Sequence, residues 1–163
     1  MIRLSEAHLE AILIHGVATF PNECCGVLLG EVDGADKTVR EVRPLANVFE
    51  PNAEFETSVL PAGAAEGAVA TVGQERRYFV SPHEMFALMQ EERRTGRKIL
   101  GFYHSHPNHP ARPSVYDREW ASPWYTYIIV SVMDGRAADL TAWQLDDDRL
   151  AFSPEIWEIL DES

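Results

Sequence analysis

Two imidazoles stand two residues apart in Tyr103-His104-Ser105-His106-Pro107, and a carboxylate follows in Ser114-Val115-Tyr116-Asp117. Imidazole nitrogen and ionised carboxylate oxygen are donors that zinc prefers. A catalytic zinc site uses three protein ligands and keeps a fourth position open. Two neutral rings and one carboxylate leave a bound dication with a net charge of about +1, consistent with an acidic water; zinc brings such a water to a pKa of about 7. The preceding Lys98-Ile99-Leu100-Gly101-Phe102-Tyr103 is apolar and rich in β-favouring residues, and reads as a buried strand. If the strand continues through His106, alternation puts side chains 104 and 106 on one face and Ser105 on the other.

Pro107, Pro110 and Pro113 break regular structure, so residues 107 to 113 read as a rigid extended loop. Ser114 then opens a short helix as its N-cap. Asp117 falls in the first turn, where the helix dipole favours a carboxylate. Taken alone, Ser-x-x-Asp is an ordinary capping pattern, and a His-Ser-His stretch is often a solvated strand end. The ordered combination is what carries specificity.

His-x-His-Pro, six further residues, then Ser-x-x-Asp resembles the zinc motif of the JAMM (MPN+) metalloprotease family. Pro21-Asn22-Glu23-Cys24-Cys25-Gly26-Val27-Leu28-Leu29-Gly30 is similar to the Pro-x-Glu-x-Cys-Gly stretch of its small prokaryotic, sulfur-carrier-processing (Mec-like) members. The resemblance implies a single JAMM/MPN-like domain over residues 1–163, α/β (α+β), with a mixed, mostly antiparallel sheet flanked by helices. It implies Zn²⁺ held by His104, His106 and Asp117, with Glu23 and Ser114 catalytic. Glu23 would serve as proton acceptor and donor, and Ser114 would donate to the developing oxyanion. Without the motif, Glu23 reads as a surface carboxylate before a strand, and Ser114 as a capping hydroxyl. The implied activity is hydrolysis of a peptide or isopeptide bond at the C-terminal Gly-Gly of a ubiquitin-like sulfur-carrier protein. Two rivals remain: an isopeptidase acting on ubiquitin-like conjugates, and a non-catalytic interaction module.

The other reactive residues carry less. His109 lies in the proline-rich loop and reads as a solvated ring or substrate contact; His8, His15 and His83 lie in helical stretches as surface or packing residues. Arg112 and Arg118 flank the site, either as solvated charges or as contacts to a substrate carboxylate. Cys24 and Cys25 are the only cysteines. Being adjacent, they cannot form an unstrained disulfide, and alternation sends one to each side of the sheet as small apolar residues. A cysteine nucleophile paired with His104 would leave His106 and Asp117 without a purpose.

The chain has 163 residues, 45 % of them hydrophobic and 25 % charged, which suits one soluble domain with its own core. A net charge of −12 argues against nucleic acid, because phosphate binding depends on Lys and Arg. No run is long enough to span a membrane. The N-terminus lacks a signal-like core and cysteines are few, so a cytoplasmic location is expected.

The elements that must position the site read as follows. Ser5 caps a helix to about Phe20. Cys25–Val32 is a central strand, turning at Asp33-Gly34 into Thr38–Val42. Arg77–Val80 reads as a further strand. Ser81-Pro82-His83-Glu84 starts a helix that ends at Gly96. Tyr125–Met133 and Asp139–Leu145 are strands around the Asp134-Gly135 turn, and Phe152–Leu160 reads as a short helix after Pro154. Residues 50–76 read as a flexible loop or insertion, with two readings open: a disordered tract or a border of the substrate channel.

Overall fold

The computed structural model describes residues 1–50, 73–74 and 76–160. In these the chain runs β1 (Ile2–Leu4), α1 (Glu6–Thr19), β2 (Cys25–Asp33), β3 (Asp36–Leu45), α2 (Pro82–Thr95), β4 (Lys98–Pro107), α3 (Val115–Trp120), β5 (Thr126–Met133), β6 (Arg136–Leu145), β7 (Phe152–Pro154) and β8 (Trp157–Ile159). The strands form one sheet in the order β7-β6-β5-β4-β2-β3-β1-β8. Four of the seven pairings are antiparallel and three are parallel. The mixed, mostly antiparallel sheet flanked by helices is therefore as expected.

Helix ends follow from their sequence. Ser5 caps α1 in a reciprocal box: its Oγ accepts from the His8 N–H at 3.2 Å, and His8 Nδ1 accepts from the Ser5 N–H at 3.3 Å. Ser81 Oγ accepts from the Glu84 N–H at 3.1 Å, Pro82 occupies the first turn, and Gly96 closes α2 at φ 75°, a left-handed conformation that favours glycine.

The sheet buries a core on each side. On the α1 side lie Ile12, Cys24, Leu28, Leu100, Tyr103, Ile128 and Val130. On the α2 side lie Cys25, Val27, Leu88, Phe102, Ala121 and Tyr127. Cys24 and Cys25 fall in opposite cores, as alternation predicts. Each fully buried aliphatic side chain contributes about 1.5–3 kcal/mol. β2 and β5 are covered on both faces, which is why they read as nearly unbroken apolar runs. Gly26 has a specific reason: a Cβ there would lie 2.1 Å from the Tyr103 ring. That ring is fully buried, with its hydroxyl 2.8 Å from His15 Nδ1.

Three readings need correction. Arg77–Val80 forms no strand: Phe79 receives the Val48 N–H at 2.9 Å but donates its own N–H to the Asn47 side chain. Tyr78 and Val80 pack against the core without joining a ladder. Phe152–Leu160 forms two strands instead of a helix. The missed strand β1 explains this, because its polar backbone needs partners that the C-terminal segment supplies. The Ile2 N–H bonds to the Ile156 carbonyl at 3.0 Å, and the Leu160 N–H to the Leu4 carbonyl at 2.9 Å; nine residues gain little as an isolated helix. Finally, two strands are longer than expected: β3 runs three residues past Val42, to Leu45, and β6 starts three residues before Asp139, at Arg136. Most of the loop expected at 50–76 lies outside the described residues.

Candidate metal centre

β4 runs through Pro107, so His104 and His106 share the face that carries Phe102. Ser105 points to the opposite face. There its Oγ accepts from the Cys24 N–H at 2.8 Å, and its own N–H donates to the Cys24 carbonyl at 3.2 Å. These bonds fasten the start of β2, and hence Glu23, beside the two imidazoles.

The loop and α3 return Asp117 to the same point. Ser114 Oγ accepts from the Asp117 N–H at 3.2 Å, while Asp117 Oδ2 accepts from the Ser114 N–H at 2.6 Å. The capping reading of Ser-x-x-Asp therefore holds. It also aims the carboxylate: Oδ1 lies 3.0 Å from His104 Nε2, and Oδ2 lies 3.4 Å from His106 Nε2. The two Nε2 atoms are 3.1 Å apart.

The donor triangle thus has sides of 3.0, 3.1 and 3.4 Å. Zinc bonds of about 2.0–2.1 Å in a tetrahedron place neighbouring donors about 3.3 Å apart. The donor set fits zinc in kind and in size, and these three residues can hold a metal ion. His106 Nδ1 lies 2.9 Å from the Pro110 carbonyl. As an N–H donor there, it leaves Nε2 as a lone pair, the usual outer-shell device at a metal-binding histidine.

Electrostatics agree. Burial holds His104 below the ordinary histidine range, against the pull of Asp117. For His106 burial acts downward, but the bond and charge of Asp117 and the Pro110 carbonyl prevail, so it is raised. Burial alone would raise Asp117; the two rings hold its carboxyl well below the usual range. Glu23 is 5 % exposed. Burial, then the Asp117 charge, push its carboxyl well above the usual range, with Arg76 opposing.

Glu23, His106 and Ser114 line one cleft of about 350 Å³, and Glu23 and Asp117 line an adjoining hollow. All five motif residues therefore converge. Ser114 spends a lone pair on its cap but keeps its O–H free to donate. His109 lines the cleft without joining the donor triangle. Arg118 donates to the Leu150 carbonyl at 3.0 Å and takes no part.

Several residues around the centre have no sequence signal. Tyr78 stacks on His104, with centroids 4.7 Å apart at 26°. Asn47 donates to the carbonyls of Glu23 at 3.1 Å and Arg77 at 3.0 Å. Gln74 accepts the Glu23 N–H at 2.7 Å through its carbonyl. Arg77 lies over the Tyr116 ring at 3.7 Å.

The model of prokaryotic homologues of the JAB domain matches residues 5–146. The chain belongs to this family. Its JAB domain is 38 % identical over 117 residues to a desampylase of Haloferax volcanii, covering 71 % of this chain and 66 % of that relative. It thus spans just under two thirds of the relative's length. A solution structure of a Desulfitobacterium hafniense protein covers 99 % of the chain and 94 % of its own, at 27 % identity and TM-score 0.73. A JAB1/MPN domain protein from Archaeoglobus fulgidus covers 99 % of the chain and 98 % of its own, at 17 % identity and TM-score 0.53, and shares the fold. Among the described residues, no helix of the JAB domain is long and apolar enough to cross a membrane.

Proposed function

We propose that this JAB domain is a zinc-dependent peptidase that hydrolyses the peptide or isopeptide bond after the C-terminal glycines of a ubiquitin-like protein of the sulfur-carrier type. The donor triangle of His104, His106 and Asp117, opening on the cleft that holds a buried Glu23, carries the reading. A bound zinc ion would supply Lewis acidity, polarising the amide carbonyl and making water more acidic.

The chain's own groups do the rest. Glu23 has a carboxyl raised well above the usual carboxylate range by its dry setting, the direction that suits a general base. It takes a proton from the attacking water and returns it to the leaving amine. The Ser114 hydroxyl donates to the oxygen that becomes negative, an interaction strongest in the transition state. Asn47 and the Gln74 carbonyl hold Glu23 from its two peptide groups, limiting its drift. The partly buried Tyr78 ring stacks on His104 and covers one face of it.

The substrate class draws support from the Haloferax relative, which is named a desampylase. That name also supports the isopeptidase rival. Five convergent motif residues speak against a non-catalytic module.

The test uses zinc-loaded protein and two substrates. One is a sulfur-carrier-type protein extended by a few residues after Gly-Gly; the other is the same carrier joined through its terminal glycine to a lysine side chain. Loss of the extension is expected, abolished by a chelator and restored by zinc. Cleavage of the lysine conjugate alone would favour the rival. No cleavage of either would end the hydrolase reading.

A further inference from the structure

Three donors at the same cleft have no part in the chemistry above. Arg76, His109 and Arg112 line it together with Glu23, His106 and Ser114. Arg76 lies near enough to Glu23 to oppose the effect of burial on its carboxyl, and its Nη2 stands 3.4 Å from His109 Nε2. Arg112 enters through the extended loop, its N–H bonded to the Pro110 carbonyl at 2.8 Å. That same proline carbonyl faces His106 Nδ1, so the loop sets both residues from one turn.

The two arginines differ from the other unpaired cations in bordering this cleft. The chain carries 26 acidic against 14 basic residues, and Arg3, Arg40, Arg43, Arg97 and Lys98 each pair with a carboxylate. Among the described residues, Arg76 and Arg112 have no ion-pair partner, although both border the reactive cleft. A guanidinium fork matches a carboxylate in two parallel hydrogen bonds and gains more from it than from water.

The two kinds of leaving group differ in this respect. A peptide bond near a chain end releases a fragment that carries its own α-carboxylate. An isopeptide bond releases a lysine amine embedded in a folded protein. Arg76, Arg112 and Glu23 line one cleft of about 350 Å³, and an extended residue spans about 3.5 Å, so only a short segment fits between a carboxylate held there and the bond beside Glu23.

We propose that Arg76 and Arg112 bind the free α-carboxylate of a one- or two-residue segment following the scissile bond, making this JAB domain an exo-acting trimming peptidase. The inference rests on the hydrolase reading. In the reaction, water adds across the amide: its OH joins the acyl carbon as the C–N bond breaks. Its proton passes through Glu23 to the leaving nitrogen, while the arginines hold the far end of the departing segment.

The test uses two fluorescein-labelled octapeptides ending in Gly-Gly-Ala, one with a free carboxylate and one with a C-terminal amide. Zinc-loaded protein should cleave the acid with a kcat/KM at least tenfold above the amide. The Glu23→Gln protein should show the same order of binding in fluorescence anisotropy. In Arg76→Ala/Arg112→Ala both ratios should fall to near one, and Arg112→Lys, with charge but no fork, should lie between. If the double variant fails to fold, Arg112→Ala alone reads the same ratio. Equal cleavage of both peptides would overturn the carboxylate site and leave the hydrolase standing. If neither peptide is cleaved, the anisotropy ratio still decides whether the arginines bind a carboxylate; equal binding overturns the site, while the carrier substrates above decide the hydrolase reading separately.

Discussion

Asn47 offers a measurable test of how Glu23, the proposed proton-transfer residue, is held. Its carboxamide donates to the carbonyls of Glu23 at 3.1 Å and Arg77 at 3.0 Å, and its oxygen accepts from the N–H groups of Phe49 and Phe79, both at 3.1 Å. One side chain thus ties together Glu23, two residues ahead of β2, the segment after β3 and the segment entering α2. Each such bond contributes about 0.5–1.5 kcal/mol net. Allowing for partial access to water, Asn47→Ala should cost about 2–4 kcal/mol of unfolding free energy. With a urea m-value of about 1–3 kcal/mol/M, the midpoint should fall by about 1–2 M. Asn47→Asp should be no better, because it turns two donors into acceptors aimed at carbonyls. The catalytic consequence follows from position: a shift of about 1 Å in Glu23 can cost up to about 10²-fold, so kcat/KM measured well below the new transition should drop 10- to 100-fold, by the same principle. Zinc affinity should stay nearly constant, because the proposed ligands lie on β4 and α3. A variant that loses less than about 0.5 kcal/mol, or that keeps full turnover while destabilised, would refute the account.

Glu23→Gln should behave in opposite ways in two assays. Burial and Asp117 raise the Glu23 carboxyl, so the folded, metal-free protein holds this proton more tightly than the unfolded chain. Stability then declines as pH rises from the ordinary carboxylate range towards the raised value, and the penalty is complete above it. Thermal melts of the metal-free protein should show the glutamine variant more stable than the parent at neutral pH, with the gap closing in acid; parallel pH curves would refute the assignment. Turnover of the same variant should fall about 10²- to 10⁴-fold. Gly26→Ala places a Cβ 2.1 Å from the buried Tyr103 ring, and overpacking of this kind costs about 1–3 kcal/mol or more. Urea denaturation should show that loss, and a double-mutant cycle with Tyr103→Leu should show partial recovery; additive losses would refute the clash.

The readable part of this molecule is the part set by local rules. Alternation along β4 placed His104 and His106 together and sent Ser105 away. Capping chemistry placed Ser5, Ser81 and Ser114 at helix starts, and adjacency sent the two cysteines to opposite cores. The readings that failed depend on partners far along the chain. Strands β1, β7 and β8 have three residues each, too few for a period to emerge, and β1 and β8 exist because each satisfies the other's backbone. Tyr78 and Asn47 gain their roles from residues more than twenty positions away, so nothing beside them in sequence marks either one.

Asp117 shows how a local rule and a long-range role can coincide. As a capping residue, its carboxylate should point back at the Ser114 N–H, and it does, at 2.6 Å. That bond fixes the side-chain orientation before any metal arrives, and the fixed oxygens lie 3.0 and 3.4 Å from the two imidazole nitrogens. The capping box therefore does not compete with the ligand reading: it is the device that orders the ligand. A flexible surface aspartate would lose side-chain freedom on coordination, whereas one already held by its own helix loses little.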